Sequence, residues 1–202
     1  MQTGTMTQQI IIGGVGFTGY TTRQAEGTLN QDVILPAGVA GAVSAAGVDG
    51  LATGHGFVQG NVLDVHWTAA GVRKCRRGVT VDTATANAIT FDNDPAASGD
   101  ALPAEDTPVV VSRRTVIVAA WAGDETVMAA IYASAPCAVE FMDADASVLA
   151  VKLDAQGTYA YADGQDVANP FAGADLSSII VSNGSADVNA IRVGVLYDSV
   201  TD

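Results

Sequence analysis

Residues 8–27 read QQIIIGGVGFTGYTTRQAEG, and the choice between two folds turns on them. An apolar run, Ile10-Ile11-Ile12, leads into Gly14-x-Gly16-x-x-Gly19, the spacing of a dinucleotide-binding loop. Such a loop needs a strand before it and, after it, a helix whose N-terminal N–H groups meet a pyrophosphate. It also needs an acid closing a second strand to hold the ribose. The strand is present in the pattern, but the helix is not. Residues 20–30, YTTRQAEGTLN, carry two Thr in the first turns, Gly27 in the middle and only a thin apolar stripe of Tyr20, Ala25 and Leu29. A mid-helix Gly alone costs about 1 kcal/mol against Ala. Asp32 precedes the apolar run Val33–Leu35 instead of closing it. The stretch is therefore a Gly-rich arm or strand–turn, where glycine allows tight backbone packing, and no cofactor is expected.

Downstream of this stretch, the 10–15-residue amphipathic helices of a doubly wound fold are missing, and period-two patterns take their place. GVTVDT (78–83) sets Val79 and Val81 on one face, and NAITFDND (87–94) does the same with Ile89 and Phe91. AVEFMD (138–143) turns Val139 and Phe141 inward; SVLAVKLD (147–154) groups Leu149, Val151 and Leu153; TYAYAD (158–163) aligns Tyr159 with Tyr161. GFVQGNVLDVHWTAAG (56–71) reads as one or two strands, TVMAAIYA (126–133) as another. VVVSRRTVIVAAW (109–121) is apolar on both faces in its latter half, as a central strand would be. LSSIIVSNGSADVNAIRVGVLYDS (176–199) has the form of a hairpin with Asn183-Gly184 at its break, and Ile191, Val193, Val195 and Tyr197 share a face. Residues 36–54 are Gly/Ala-rich and read as a short helix or, on their glycine content, a loop. The segment 94–108, with three prolines and four acids, is the best boundary.

The expected fold is all-β: an N-terminal extended arm (1–35), a small β module ending in the acidic Pro-containing linker (36–108), and a β-sandwich or jelly-roll-like module (109–202). A chain of 202 residues can bury roughly 70% of its unfolded surface, so core size does not limit it.

The charge of -13 disfavours nucleic acid and anionic membranes as partners and suits basic protein surfaces. No apolar run approaches the length of a membrane-spanning helix, and the first residues lack the pattern of a secretory signal. Cys75 and Cys137 read as small buried residues rather than a bridge. Six of the nine basic residues fall in two clusters, Arg73, Lys74, Arg76, Arg77 and Arg113, Arg114. On a strand, Arg73 and Arg77 share a face with Cys75, while Lys74 and Arg76 take the other. Two uses stand side by side for these clusters. One is intramolecular pairing, with Asp92, Asp94, Asp100, Glu105 and Asp106 as candidate partners; the other is inter-subunit contact, to which Arg suits itself. Ile10, Ile11 and Ile12 are further interface candidates, since an unpaired strand edge can add to a partner's sheet.

Catalytic patterns are missing. His55 and His66 stand in no metal or nucleophile motif, and no G-x-S-x-G occurs. His66 reads as a hydrogen-bonded or surface residue and His55 as a turn residue. The acid groups at 92–94, 143–145 and Asp163 with Asp166 do not follow a calcium-loop spacing: counted from Asp92, position 5 is Ala96 and position 12 is Pro103. No enzyme activity, catalytic residue or metal is expected.

Two segments carry a resemblance. VHWTAAGVRKCRRGVTVDTATANAITFDNDPAASGDALPAEDTPVVV (65–111) and DVANPFAGADLSSIIVSNGSADVNAIRVGVLYD (166–198) resemble β-rich modules of structural proteins of tailed bacteriophage virions, most of all capsid decoration (cement) proteins. The resemblance implies a virion location after assembly in the host cytoplasm. It implies contact with the major capsid protein or other virion subunits, and a homo-oligomer, a trimer suiting threefold positions of a shell. A neck, tail or fibre-base component is the neighbouring alternative. A glycan- or receptor-binding β-sandwich is another, with Tyr159, Tyr161, Trp121 and Trp67 as its aromatic candidates.

Overall fold

The computed structural model describes residues 9–12, 15–18, 27–92, 97–118, 125–143, 146–162, 170–172, 174 and 176–198. Every regular element among them is a strand. Strands β1 (Gln9–Ile12) and β2 (Val15–Thr18) form an antiparallel hairpin in which Ile12 faces Val15. Gly16 thus lies in a returning strand, where a nucleotide loop would begin its helix.

Strand β3 (Gly27–Leu35) is followed by β4 (Val39–Ser44), β5 (Gly47–Asp49), β6 (Val62–Ala69), β7 (Val72–Ala84), β8 (Ile89–Phe91) and the short β9 (Ser98–Gly99). Next comes β10 (Pro108–Val118). The first part of β10 pairs with β4 on one side and β6 on the other. The ring β10-β4-β5-β8-β7-β6 therefore closes into a six-stranded barrel, filled by aliphatic side chains such as Val48, Leu63, Val65, Val81 and Val111.

The remaining strands are β11 (Glu125–Ala133), β12 (Cys137–Asp143), β13 (Ala146–Leu153), β14 (Gly157–Ala162), β15 (Leu176–Asn183) and β16 (Asn189–Asp198). With β3 and the second part of β10 they make two four-stranded sheets, β3-β16-β11-β14 and β10-β15-β12-β13. All the pairs are antiparallel. Numbered one to eight along the chain, the strands pair first with eighth (β3·β16), second with seventh (β10·β15), third with sixth (β11·β14) and fourth with fifth (β12·β13). That nesting is a long hairpin rolled on itself, the strand order of a jelly roll. Its core joins Ile131, Ile191 and Val193 from one sheet to Val139, Phe141 and Ile179 from the other. Phe171 meets Phe141 and Tyr161 edge-to-face, at 5.0 and 5.5 Å between ring centroids.

The all-β expectation and the inward positions of Val79, Val81, Ile89, Val139, Phe141, Leu153, Tyr161, Ile191, Val193 and Val195 match the structure. Several local expectations do not. Residues 36–54 contain strands β4 and β5, neither helix nor loop. Small residues are needed there because strands crowd: a Cβ on Gly47 would lie 2.0 Å from the Ile89 carbonyl oxygen, and one on Gly41 2.6 Å from Val48. Asn183-Gly184 does not close a hairpin, since β15 and β16 belong to different sheets. The Asn183 amide ties the crossing instead, donating to the Pro36 and Asp187 carbonyls while accepting the Ser185 N–H. The latter half of β10 is a sheet edge, not a central strand, and its Val116 is exposed.

The boundaries at 35 and 108 also move. Residues 27–35 are the first jelly-roll strand, not arm, and Pro108–Arg113 belong to the barrel. From residue 97 on, the acidic segment straps the barrel rather than linking domains. Strand β9 pairs with β7, the Asp100 N–H donates to the Cys75 carbonyl, and the Asp106 N–H donates to that of Val43. The barrel is thus an insertion between the first two jelly-roll strands, and the two bodies share β10.

Candidate functional site

The chemistry-bearing side chains gather where the barrel lies on the outer face of the sheet β10-β15-β12-β13. A bulge sets this up. Between Leu63↔Val79 and Val65↔Arg76 the register slips, so that Arg77 and Gly78 both oppose Asp64. Gly78 takes φ 69°, the left-handed conformation such bulges use, and its N–H donates to Asp64 Oδ1 at 2.9 Å. The extra residue switches parity along β7. Val79 and Val81 line the barrel, while Arg77, Cys75 and Arg73 turn to the sandwich.

Four charges meet in this seam. Glu140 of β12, 4% exposed, accepts Arg77 Nη1 at 2.8 Å and also pairs with Arg114 Nη2. Arg114 Nε lies 3.3 Å from Asp64 Oδ1, close enough to pair though without hydrogen-bond alignment. Two carboxylates and two guanidiniums balance, which is the condition for burying them at all. Burial pushes the Asp64 carboxyl up, against Arg114, hydrogen bonds from Ser182 and Gly78, and Arg77, which favour its charged form.

Beside them, His66 Nε2 stands 3.1 Å from Ser182 Oγ and 3.3 Å from Ser112 Oγ. Gly184 sits against the ring, where a Cβ would come within 3.2 Å of Nδ1. Burial, then the charge of Arg73, pulls the imidazole pKa down to about 3, so it is neutral. Burial likewise raises the Cys75 thiol, with Asp64 adding to the rise.

Asp64, His66 and Cys75 bring their donor atoms within 4.8 Å of one another, the spread of a metal centre. The donor set does not fit. Asp64 and His66 already have partners, the cysteine favours its thiol where a metal needs thiolate, and a dication would lie against Arg77 and Arg114. A raised thiol pKa is equally the reverse of an activated nucleophile. What the arrangement does is hold two bodies in one orientation.

The rim of the seam continues the pattern. Asp100 pairs with Lys74 at 3.0 Å and Lys152 at 2.8 Å and accepts the Cys75 N–H. Partial burial alone would raise its carboxyl, but the bonds from Lys152, Cys75 and Lys74 hold it well below the usual range. Arg73 Nε pairs with Asp154 at 2.9 Å. Of the interface candidates, then, Arg73, Lys74, Arg77 and Arg114 all meet acids of their own chain. For Arg77 and Arg114 the inter-subunit expectation is corrected, because both are largely buried in the seam. Arg76 has no ion pair among the described residues. Arg113 donates to the Gly56 carbonyl at 2.5 Å and lies over the Phe57 ring.

Among the expected acids that are described, Asp100 alone pairs with the clusters; the sequence reading missed Asp64, Glu140 and Asp154. The signal was present for two of them. Asp64 interrupts the run Val62–Trp67, and Glu140 stands between Val139 and Phe141. An acid in an otherwise apolar strand marks a face with a buried partner.

His55 is tied into its loop, with Nδ1 accepting the Phe57 N–H and Nε2 donating to the Thr85 carbonyl. Of the aromatic candidates, Trp67 and Tyr161 are buried in cores, Tyr159 is part-buried against Phe141, and Trp121 lies outside the described residues. Ile10, Ile11 and Ile12 form β1, and the description covers its backbone only. Asp94, Asp145, Asp163 and Asp166, and Gly14 and Gly19, lie outside the described residues. Exposed apolar side chains include Ile34 of β3, Val188 just before β16, and Val116 of β10. Two small cavities of about 160 and 150 Å³ flank the junction. The first is lined by Cys75, Arg77, Asp100 and Lys152, the second by Leu35, Phe57, Val111 and Arg113. No family model, curated protein or solved structure matches the chain.

Proposed function

We propose that the protein is a non-enzymatic structural subunit of a virion, a decoration or cement protein that binds and stabilises a capsid shell. What supports this reading above all is the direction in which its cations point. Six of the nine basic side chains, namely Arg73, Lys74, Arg77, Arg114, Lys152 and Arg192, pair with acids of the chain. Among the described residues they pair with five acids, Asp32, Asp64, Asp100, Glu140 and Asp154, while Asp49, Asp82, Asp92, Glu105, Asp106 and Asp187 stand exposed with no ion pair. The outside of a rigid β framework is left rich in carboxylates, a contact surface for a basic lattice. The jelly roll adds a fold-level analogy, since such rolls recur in viral capsid domains. In this reading the partners are shell subunits and further copies of the chain, a trimer suiting threefold positions.

Imaging of particles purified from cells that make this chain, with the protein labelled at its C-terminus, tests the proposal. A fixed number of labelled copies on the outside of the shell is expected. Particles carrying no label overturn it.

A further inference from the structure

Arg113 differs from the cations of the seam. In a chain with 22 acids and nine bases it meets no carboxylate among the described residues. Its place is nevertheless fixed. Nη2 donates to the Gly56 carbonyl at 2.5 Å, and the guanidinium carbon lies 6.0 Å from the centroid of Phe57. The loop supplying both contacts is itself pinned through His55, which accepts the Phe57 N–H, reaches the Thr85 carbonyl, and lies 5.1 Å ring to ring from Phe57. Arg113 Nε and Nη1 are left without a protein partner among the described residues, as is the second hydrogen of Nη2, which runs parallel to an N–H of one of them, on a fork that is already oriented.

Beside this fork lies the cavity of about 150 Å³. Leu35, Phe57 and Val111, all at most 6% exposed, line its depth, and Val39 lines it too. Its other polar groups are occupied: Ser112 with His66, the Asn183 amide with three backbone groups, and both His55 nitrogens. Among the lining side chains the open hydrogen-bonding capacity is therefore that of Arg113. A space of about 150 Å³ with an apolar wall of Leu35, Val39, Phe57 and Val111 has the size of a benzene-sized group. A planar cationic fork at its edge matches a carboxylate, which it can grip with two parallel bonds. A phosphate would find one cation in a strongly acidic chain. We propose that this pocket binds an organic carboxylate with a short aromatic or branched apolar tail. Two sources share that chemistry, a free small acid and the free C-terminus of a peptide ending in an apolar residue. The inference is independent of the virion reading.

The test is a titration of the full chain followed by amide resonances. Benzoate is expected to bind saturably, with Kd on the order of 1 mM for so small a ligand, moving the signals of Gly56, Phe57 and Arg113. Arg113→Gln, an exposed change that keeps a polar group, should weaken binding about tenfold, whereas Arg76→Gln should leave it unaltered. Benzyl alcohol and inorganic phosphate should each bind at least about tenfold more weakly than benzoate. A peptide ending in free Phe that outbinds benzoate, and loses this on C-terminal amidation, identifies a chain terminus as the source; a peptide weaker than benzoate identifies a free acid. No saturable shift with benzoate or the peptide, an unchanged affinity in Arg113→Gln, or equal binding of benzyl alcohol overturns the proposal.

Discussion

The barrel and the jelly roll share a strand yet are held together by unlike means. Inside each body the contacts are apolar, mostly aliphatic with Phe57 and Trp67 in the barrel and built around Phe141, Phe171 and Tyr161 in the roll. Between them lie Arg77, Glu140, Arg114 and Asp64. Adjacent residues of β12 show the contrast at its sharpest, Phe141 entering a core and Glu140 entering the seam. An apolar contact loses little when it slides, because any apolar neighbour serves. A buried charge has one acceptable partner, so the seam fixes the docking of the two bodies while adding modest net stability.

The largest effects should come from cutting that pair of neighbours. Glu140→Ala strands two guanidiniums away from water and should cost about 3–5 kcal/mol. Phe141→Ala empties a core site and should cost a similar 3–5 kcal/mol. Denaturant titration measures both, and amide exchange separates them. The Glu140 variant should lose protection first along β7 and β13, the Phe141 variant throughout the roll. Identical exchange patterns would erase the distinction between seam and core.

A smaller effect tests the neutral imidazole in the seam. The folded pKa of His66 is about 3, against an ordinary 6.5, so between these values the unfolded chain takes up a proton that the folded chain refuses. Stability present above pH 6.5 is lost as the pH falls toward 3, at about 1.4 kcal/mol per unit. Between pH 6.5 and 4.5 wild type should lose about 2 kcal/mol more than His66→Gln. Asp64 works in the opposite sense and Asp100 in the same sense below about pH 4, but both are common to the two proteins and drop out of the difference. Parallel pH profiles would place His66 in water. The smallest effect belongs to the rim: Asp154→Asn removes an exposed partner of Arg73 and should cost less than about 1 kcal/mol in thermal unfolding.

Both cores were legible in the sequence because alternation reports a half-buried strand wherever it occurs, as Val79 and Val81 or Ile191 and Val193 show. Closure of the barrel was not. It depends on β10 pairing with both β4 and β6, and pairing between distant segments leaves no local mark. Gly41 and Gly47 misled for a related reason, since glycine admits flexible chain and crowded strands alike, and only the neighbours decide. The basic cluster was visible with its face split correctly for Arg73, Cys75 and Arg77. Its acids were sought nearby in sequence, whereas Glu140 and Asp154 lie 63 and 81 residues away from Arg77 and Arg73. The carboxylate pocket had no sequence signal, being assembled from β3, β4, β10 and the 55–57 loop.

The barrel is joined to the roll twice, by the short connection 36–38 and by β10, which runs unbroken from one body into the other, so a pull between the two bodies is shared by those two links. The hydrogen bonds of β10 to β4, β6 and β15 lie across that direction, so they are loaded in shear and must fail in groups rather than one after another. Mechanically β10 acts as the shank of a rivet, held along its length by strands of both bodies.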